Sequence, residues 1–417
     1  MLVARNGAKA DLVLEGRFGD ANLRVTVEGG VISALEPCSP VNGHVLAPAF
    51  VDPHVHLRTP GREDEETIAS GTAAAAAGGF CAILAMPNTD PVVDSAAVLG
   101  ALVELAQAEA VVPCGFLGSI SKGLAGAELT EMAELADTGA AGFSDDGLPV
   151  RSAGLMRRAL QYASFARRPL ALHEEEPTLS RGGQMHEGAV SAELGFTGWP
   201  SIAESTMVER DLRLAAYEGR PLHLLHLSAR ESVEALERAL SDGVRATAEV
   251  TPHHLVLTDD AVRTLDPNLK MNPPVREEAD RTILIEALRK GTISCVASDH
   301  APHARHEKEA PFEEAPFGVT GLETAFASLY THLVVPGLLP LEVLLERMSG
   351  GPASAYGLPA PRIAVGEPAN LVLLDLSKSW RVSEAGFRSR SANSWLLGET
   401  LQGQVVTTVA DGVLVHG

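Results

Sequence analysis

The first residues that could do chemistry lie in Asp52-Pro53-His54-Val55-His56-Leu57-Arg58. In an extended segment, residues two apart face one side, so His54 and His56 point together. Two imidazoles on one side are half of a metal site. Taken alone, a His-x-His pair could equally end a strand in water. Its companions change that balance. His173 closes Leu170-Ala171-Leu172-His173, His226 closes Leu224-Leu225-His226, and Asp299 closes Val296-Ala297-Ser298-Asp299. Each ends an apolar run, and the ends of parallel barrel strands converge on one mouth. Phe143-Ser144-Asp145-Asp146-Gly147 ends another such run. A carboxylate there could bridge two metals, and Asp-Asp-Gly is equally well explained as a turn. Arg58, two residues beyond His56, is expected at the same mouth, where its guanidinium fork would match a carboxylate.

These residues need a scaffold that brings distant strand ends together. Eight apolar, strand-like runs fall at 45–55, 80–86, 111–118, 140–144, 169–173, 221–227, 245–250 and 293–298. Alanine- and leucine-rich helical segments separate them, at 67–77, 96–110, 152–166, 203–218, 232–240 and 280–290. Alternating strands and helices predict an α/β fold with a parallel sheet, and eight strands fit a closed (β/α)8 TIM barrel. No Gly-x-Gly-x-x-Gly follows a strand, which argues against a dinucleotide fold. At both chain ends the pattern becomes short alternating strands with glycine turns, such as Glu28-Gly29-Gly30 and Asp411-Gly412. The expectation is a small β-sandwich domain built from 1–47 and 361–417, beside a barrel spanning 48–360.

Composition sets the outer bounds. The 417 residues are 45% hydrophobic but only 4% aromatic, so the core must be aliphatic and alanine-rich. A net charge of −21 repels phosphate backbones and anionic headgroups, which argues against nucleic acid or membrane surfaces as partners. An anionic substrate would then need local positive charge from metal or arginine. Of the four cysteines, Cys81, Cys114 and Cys295 sit in apolar runs and read as buried thiols; Cys38 completes the set without any Cys-x-x-Cys pair. The first residues lack the apolar core of a signal peptide, so the expected compartment is cytoplasmic.

Together the motifs resemble dihydroorotase of the bacterial class I type, in the amidohydrolase superfamily. They are the segment 52–58, Met86-Pro87-Asn88-Thr89, Phe143-Ser144-Asp145-Asp146-Gly147, His226-Leu227-Ser228, Ser298-Asp299-His300-Ala301-Pro302-His303 and Ala315-Pro316-Phe317-Gly318. The resemblance implies two zinc ions per subunit. His54, His56 and Asp299 would bind one, His173 and His226 the other, with Asp146 bridging. It further implies His56, Arg58, Asn88, Asn272 and His303 as polar contacts to substrate, with the Phe317-Gly318 backbone at the ring amides. The implied reaction is reversible hydrolysis of dihydroorotate to N-carbamoyl-L-aspartate, in pyrimidine synthesis, with Asp299 as proton shuttle.

Related hydantoinases and other dihydroorotases bridge their metals with a carboxylated lysine, and its absence here favours the aspartate-bridged class. No lysine falls on the fourth strand, and Lys122, the nearest, reads as a solvated loop residue. A dihydropyrimidinase, an allantoinase and a catalytically inactive scaffold of aspartate carbamoyltransferase are the rival readings; an inactive scaffold is expected to lose ligands, and all six positions are filled. A homodimer is an open expectation, and the family adds aspartate carbamoyltransferase as a partner; no motif carries either. His253, His254, His186, His223, His300, His306 and His332 read as structural or supporting residues. The segment 304–316 reads as a mobile substrate loop or a solvated one. Asn370 stands where the family more often has aspartate.

Overall fold

The computed structural model describes residues 1–417. Its strands are β1 Leu12–Phe18, β2 Ala21–Glu28, β3 Val31–Pro37, β4 His44–Pro48, β5 Phe50–Val55, β6 Phe80–Ala85, β7 Cys114–Gly118, β8 Gly142–Phe143, β9 Ala171–Leu172, β10 Met185–His186, β11 Gly198–Trp199, β12 Leu222–Leu224, β13 Ala246–Val250, β14 Cys295–Val296, β15 Leu371–Arg381, β16 Thr400–Ala410 and β17 Val413–His416. Two parallel four-stranded sheets, β5-β6-β7-β8 and β9-β12-β13-β14, make the barrel. Parallel bridges Phe143↔Leu170 and Val55↔His300 join them at both seams, so the eight strands close. β5, β6 and β7 are buried along their whole length, as expected for parallel strands covered on both faces.

Three of the crossover helices begin at side-chain caps. Thr67 accepts from Ser70 N at the start of Ile68–Ala77, Ser95 accepts from Val98 N before Ala96–Glu109, and Ser152 from Leu155 N before Ala153–Ala166. Ile202–Glu218, Arg230–Ser241 and Glu278–Lys290 complete the helices expected from periodicity. The structure adds Met132–Thr138 between β7 and β8, and Leu341–Met348 and Gly350–Ala355 after β14. These are short, and one turn or two of amphipathic pattern does not rise above its surroundings.

The run at 45–55 is not one strand. It divides at Ala49, whose N–H donates to Asn370 O at 3.0 Å. Residues before it join the terminal sheet, pairing antiparallel with β15, while residues after it form the first barrel strand beside β6. Both halves are apolar because both enter a core, so hydrophobicity does not mark the switch.

The chain ends build one seven-stranded sheet, in the order β17-β16-β15-β4-β1-β2-β3. It curls over a core holding Val25, Ile32, Leu46, Leu371 and Val409. The curl brings the β2–β3 turn against the β16–β17 turn: Ala369 N donates to Gly30 O at 2.9 Å and Gly412 N to Ala369 O at 2.8 Å. Gly30 and Gly412 both have positive φ, and a Cβ on Gly412 would overlap the Gly30 carbonyl. At the start of the first barrel strand the Phe50 ring lies 5.7 Å from Phe80 and 5.6 Å from Phe326. Asn370 accepts from Asp411 N at 2.7 Å in the same turn region, far from the histidines in role. No helix is long and apolar enough to cross a membrane.

Candidate metal centre

His54 lies within β5 and His56 just beyond it; His173 follows β9, His226 lies two residues past β12, and Asp146 and Asp299 lie three past β8 and β14. All six therefore stand at the C-terminal mouth of the barrel. Pleat alternation explains the His54–His56 pair only. Arg58, His226 and Asp299 have φ of 56°, 29° and 46°, in the left-handed region that non-glycine residues avoid. Such strain persists where surrounding contacts over-determine it, and here three of the chain's seven cases fall at one mouth. Arg58 reaches the site by this turn, past the end of the strand, and so not for the alternation reason expected from sequence.

Asp146 occupies the middle of the cluster. Its Oδ2 lies 3.6 Å from His54 Nε2 and 3.5 Å from His56 Nε2. Its Oδ1 lies 3.6 Å from His173 Nδ1 and 3.4 Å from His226 Nε2. One carboxylate thus divides its two oxygens between two histidine pairs. Asp299 Oδ1 is 3.4 Å from His54 Nε2 and 3.2 Å from His56 Nε2, on the first pair only. The neighbouring Asp145 turns away, accepting from Ile120 N at 2.7 Å, Ser121 N at 2.9 Å and the Ser121 hydroxyl. The Asp-Asp-Gly segment is therefore both a turn and a site: its first carboxylate ties the turn, and its second faces the imidazoles.

Charge in this buried cluster is strongly coupled. Burial opposes ionisation of Asp146, but His54 and hydrogen bonds from His173 and His226 hold its carboxyl well below the usual range. Burial would lower His54, but the carboxylates of Asp146, Asp299 and Glu249 outweigh it and raise the imidazole well above its ordinary value. For His173, burial is likewise overcome, by Asp146 and Glu175, and the imidazole is raised to about 9. The carboxylates demand positive charge between them and the rings, as protons or as metal ions. His54 Nε2 is buried without a hydrogen-bond partner and faces this space.

Several supporting carboxylates escaped sequence reading. Glu249, fully buried on β13, lies 2.7 Å from His54 Nδ1 and 3.0 Å from His223 Nε2, and accepts from His226 N at 3.2 Å. It orients members of both pairs, and its pKa falls to about 2: burial opposes this, and His54 and His223 prevail. A lone glutamate inside the strand-like run Ala248-Glu249-Val250 was the available signal. Glu175 lies 3.0 Å from His173 Nε2, and Asp52 accepts from His54 N and Ser298 N. Glu204 accepts from Ser228 N at 3.1 Å, holding the turn after His226. Groups that orient metal-ligating imidazoles commonly account for 10–100-fold in metal affinity. Glu249→Gln is expected to weaken divalent-metal binding by about that factor while the chain stays folded. Competition against a chromogenic chelator would measure it, and unchanged affinity would remove Glu249 from this role.

A second group of side chains rims the centre. Arg58 Nε lies 3.0 Å from Glu65 Oε2 and donates to Pro302 O at 3.1 Å, and its terminal nitrogen NH2 is 3.5 Å from His303 Nε2. His303 Nε2 is 2.8 Å from Phe317 O, and Gly318 N donates to Lys270 O at 2.8 Å. Gly318 has φ +123°, and a Cβ there would come 2.7 Å from Ala301 Cβ, so the backbone must stay bare beside His303. Asn88 Oδ1 is 2.9 Å from His56 Nδ1, and Asn272 Nδ2 is 3.5 Å from Glu175 Oε2. The fold thus brings Arg58, Asn88, Asn272, His303, Phe317 and Gly318 to the mouth that holds the histidines. The segment 304–316 is not a free solvated loop: Lys308 Nζ donates to Pro267 O and Pro316 O, and Lys270 Nζ to Phe312 O and Glu313 O.

The Dihydro-orotase-like family pattern matches residues 43–232, which include His54, His56, Asp146, His173 and His226. The dihydroorotase of Caldanaerobacter subterraneus subsp. tengcongensis is 40% identical over 99% of this chain and 96% of its own length. The chain belongs to the dihydroorotase family. The dihydroorotase of Streptomyces coelicolor is 42% identical, again over 99% of this chain and 96% of its own. Among solved structures, the L-hydantoinase of Arthrobacter aurescens superposes with a TM-score of 0.84 at 27% identity, covering 95% of this chain and 92% of its own. The dihydropyrimidinase of Brevibacillus agri, at 22% identity and a TM-score of 0.81, covers 100% and 95% and shares the fold.

Within this dihydroorotase-family chain, Lys122 stands apart from the centre: its ammonium pairs with Glu128 at 2.7 Å on the surface. Other histidines are held structurally. His254 bridges Thr251 Oγ1 at 2.7 Å and Pro273 O at 2.9 Å, and His300 lies 3.1 Å from Glu66. Cys81, Cys114 and Cys295 are buried free thiols; Cys38 is free and partly exposed.

Proposed function

We propose that this centre catalyses the reversible hydrolysis of (S)-dihydroorotate to N-carbamoyl-L-aspartate, the third step of de novo UMP synthesis, with two zinc ions per subunit in a cytoplasmic enzyme. The single observation that carries the reading is Asp146, whose two oxygens divide between two histidine pairs. Four imidazoles, a bridging carboxylate and a second carboxylate on one pair suit borderline divalent ions such as zinc. The partnerless, buried His54 Nε2 fits that donor set. His54, His56 and Asp299 would hold one ion, His173 and His226 the other, and Asp146 both. Bound zinc supplies a low-pKa water and polarises the amide carbonyl.

The chain's own residues do the rest. Arg58, fixed through Nε by Glu65 and Pro302, keeps its terminal nitrogens for the substrate carboxylate. Asn88, Asn272 and His303 orient the ring, with the Phe317-Gly318 backbone at its amides. Water oxygen adds to the ring carbonyl carbon, the carbon–nitrogen bond breaks, and the proton passes to the leaving nitrogen. Asp299, whose Oδ1 faces His54 and His56, is the carboxylate placed to carry that proton. The surface position of Lys122 and the aspartate at the bridging place favour this reading over a lysine-bridged hydantoinase or allantoinase. The filled ligand set favours it over an inactive scaffold of aspartate carbamoyltransferase.

The deciding experiment is dihydroorotate hydrolysis by the purified chain, with metal assayed on the same sample. Turnover with about two zinc per chain is expected. Bound metal with turnover of hydantoin or allantoin instead would refute the substrate, and neither metal nor turnover after zinc addition would refute the enzyme. Arg58→Lys is expected to raise KM about 10-fold or more with metal retained, because an ammonium cannot reproduce the fork. An unchanged KM would take Arg58 out of the substrate site.

A further inference from the structure

The face of the barrel opposite the histidines carries a cavity of about 500 Å3. It opens where the chain enters β9, β12 and β13, among Leu170, Leu222 and Ala246. Arg167, Arg168, Arg220 and Arg245 line it, and none of its lining residues is aspartate or glutamate. That composition is unexpected in a chain with 54 acidic residues against 33 lysines and arginines.

The four guanidiniums form no ion pair within the chain, although other arginines, such as Arg157, Arg210 and Arg263, do. Two are anchored through backbone carbonyls instead: Arg168 Nε donates to Ala140 O at 2.8 Å and an Arg245 terminal nitrogen to Gly219 O at 2.6 Å. Each anchor uses one N–H of a guanidinium that has five, so donors remain. A cation after a helix offsets the partial negative charge of the C-terminus, and Arg167 and Arg220 follow Ala153–Ala166 and Ile202–Glu218. One cation per helix end satisfies that need, whereas here four converge on one cavity. Leu170, Leu222 and the Tyr356 ring supply apolar wall beside them.

The geometry points to a binding site for a phosphate-bearing small molecule on this face, separate from the catalytic mouth. Guanidinium forks match phosphate oxygens, and an acid-free rim in an acidic protein concentrates the local positive field. The volume admits a ligand of nucleotide size, with its phosphates toward the arginines.

Isothermal titration of the metal-loaded full chain with ATP, and then with inorganic phosphate, tests this. ATP is expected to bind saturably with Kd below about 1 mM, more weakly as salt rises, and to be displaced by phosphate. Arg167→Gln/Arg220→Gln is expected to weaken ATP about 10-fold or more with dihydroorotate turnover and Tm unchanged. Arg167→Glu/Arg220→Glu should abolish it. No saturable binding to the unaltered chain, or failure of phosphate to displace ATP, would overturn the proposal. So would equal affinity in both variants, which would put the phosphates at the metal centre.

Discussion

Asp146→Ala is expected to lower kcat/KM for dihydroorotate by about 10³-fold or more and, on the proposed two-zinc reading, to cut the bound metal to half or less. No other carboxylate faces ring nitrogens of both histidine pairs: Asp299 reaches only His54 and His56, and Glu249 meets His226 through its backbone N–H. Without Asp146, His173 and His226 keep one another at 3.1 Å but lose their only shared anion at the centre. Asp146→Asn separates charge from shape, since the amide can occupy the same place while supplying less negative charge. It should retain more metal than alanine and still lose most turnover. Parallel metal analysis and steady-state kinetics would check both, and a variant with full zinc and full turnover would refute a bridging role. Asp145→Asn, by contrast, touches the turn through Ile120 and Ser121, so its effect should appear in Tm before it appears in metal content.

For Asp299→Asn the expected result is a fall in kcat of roughly 10²- to 10⁴-fold with most of the zinc retained, the range general acid–base catalysis accounts for. The retained metal follows from geometry: His54 and His56 remain, each braced from behind, by Glu249 at 2.7 Å and by Asn88 at 2.9 Å. The lost turnover follows from chemistry, because an amide cannot accept the proton that must reach the leaving nitrogen. KM should change less than kcat, since Asp299 is assigned to proton transfer and the substrate carboxylate to Arg58. Near-normal turnover with zinc bound would leave Asp299 as a ligand only.

The barrel and the residues at its mouth are largely legible in the sequence. Eight apolar runs with intervening helices describe the barrel, because parallel strands covered on both faces must be apolar throughout. Polar residues closing such runs stand out for the same reason, and closure of the barrel sends those ends to one mouth. His54, His56, His173, His226 and Asp299 were therefore visible as a set, each by its place at a strand end.

Other features were decided only by the tertiary structure. Periodicity could not divide the run 45–55 at Ala49, since both sides of the switch are buried. It could not separate Asp145 from Asp146, because both satisfy turn chemistry and only the fold shows which faces imidazole. Alternation ended at Val55, and Arg58 reached the mouth through a left-handed turn that no local pattern announces. Glu249 and Glu175 were invisible as partners for a simpler reason. A buried carboxylate needs a hydrogen-bonded partner, but that partner lies 195 residues away for Glu249 and His54, and only chain closure brings the two within 2.7 Å. Local sequence determines which residues form strands and where polar groups end them; the contacts between those ends belong to the closed barrel.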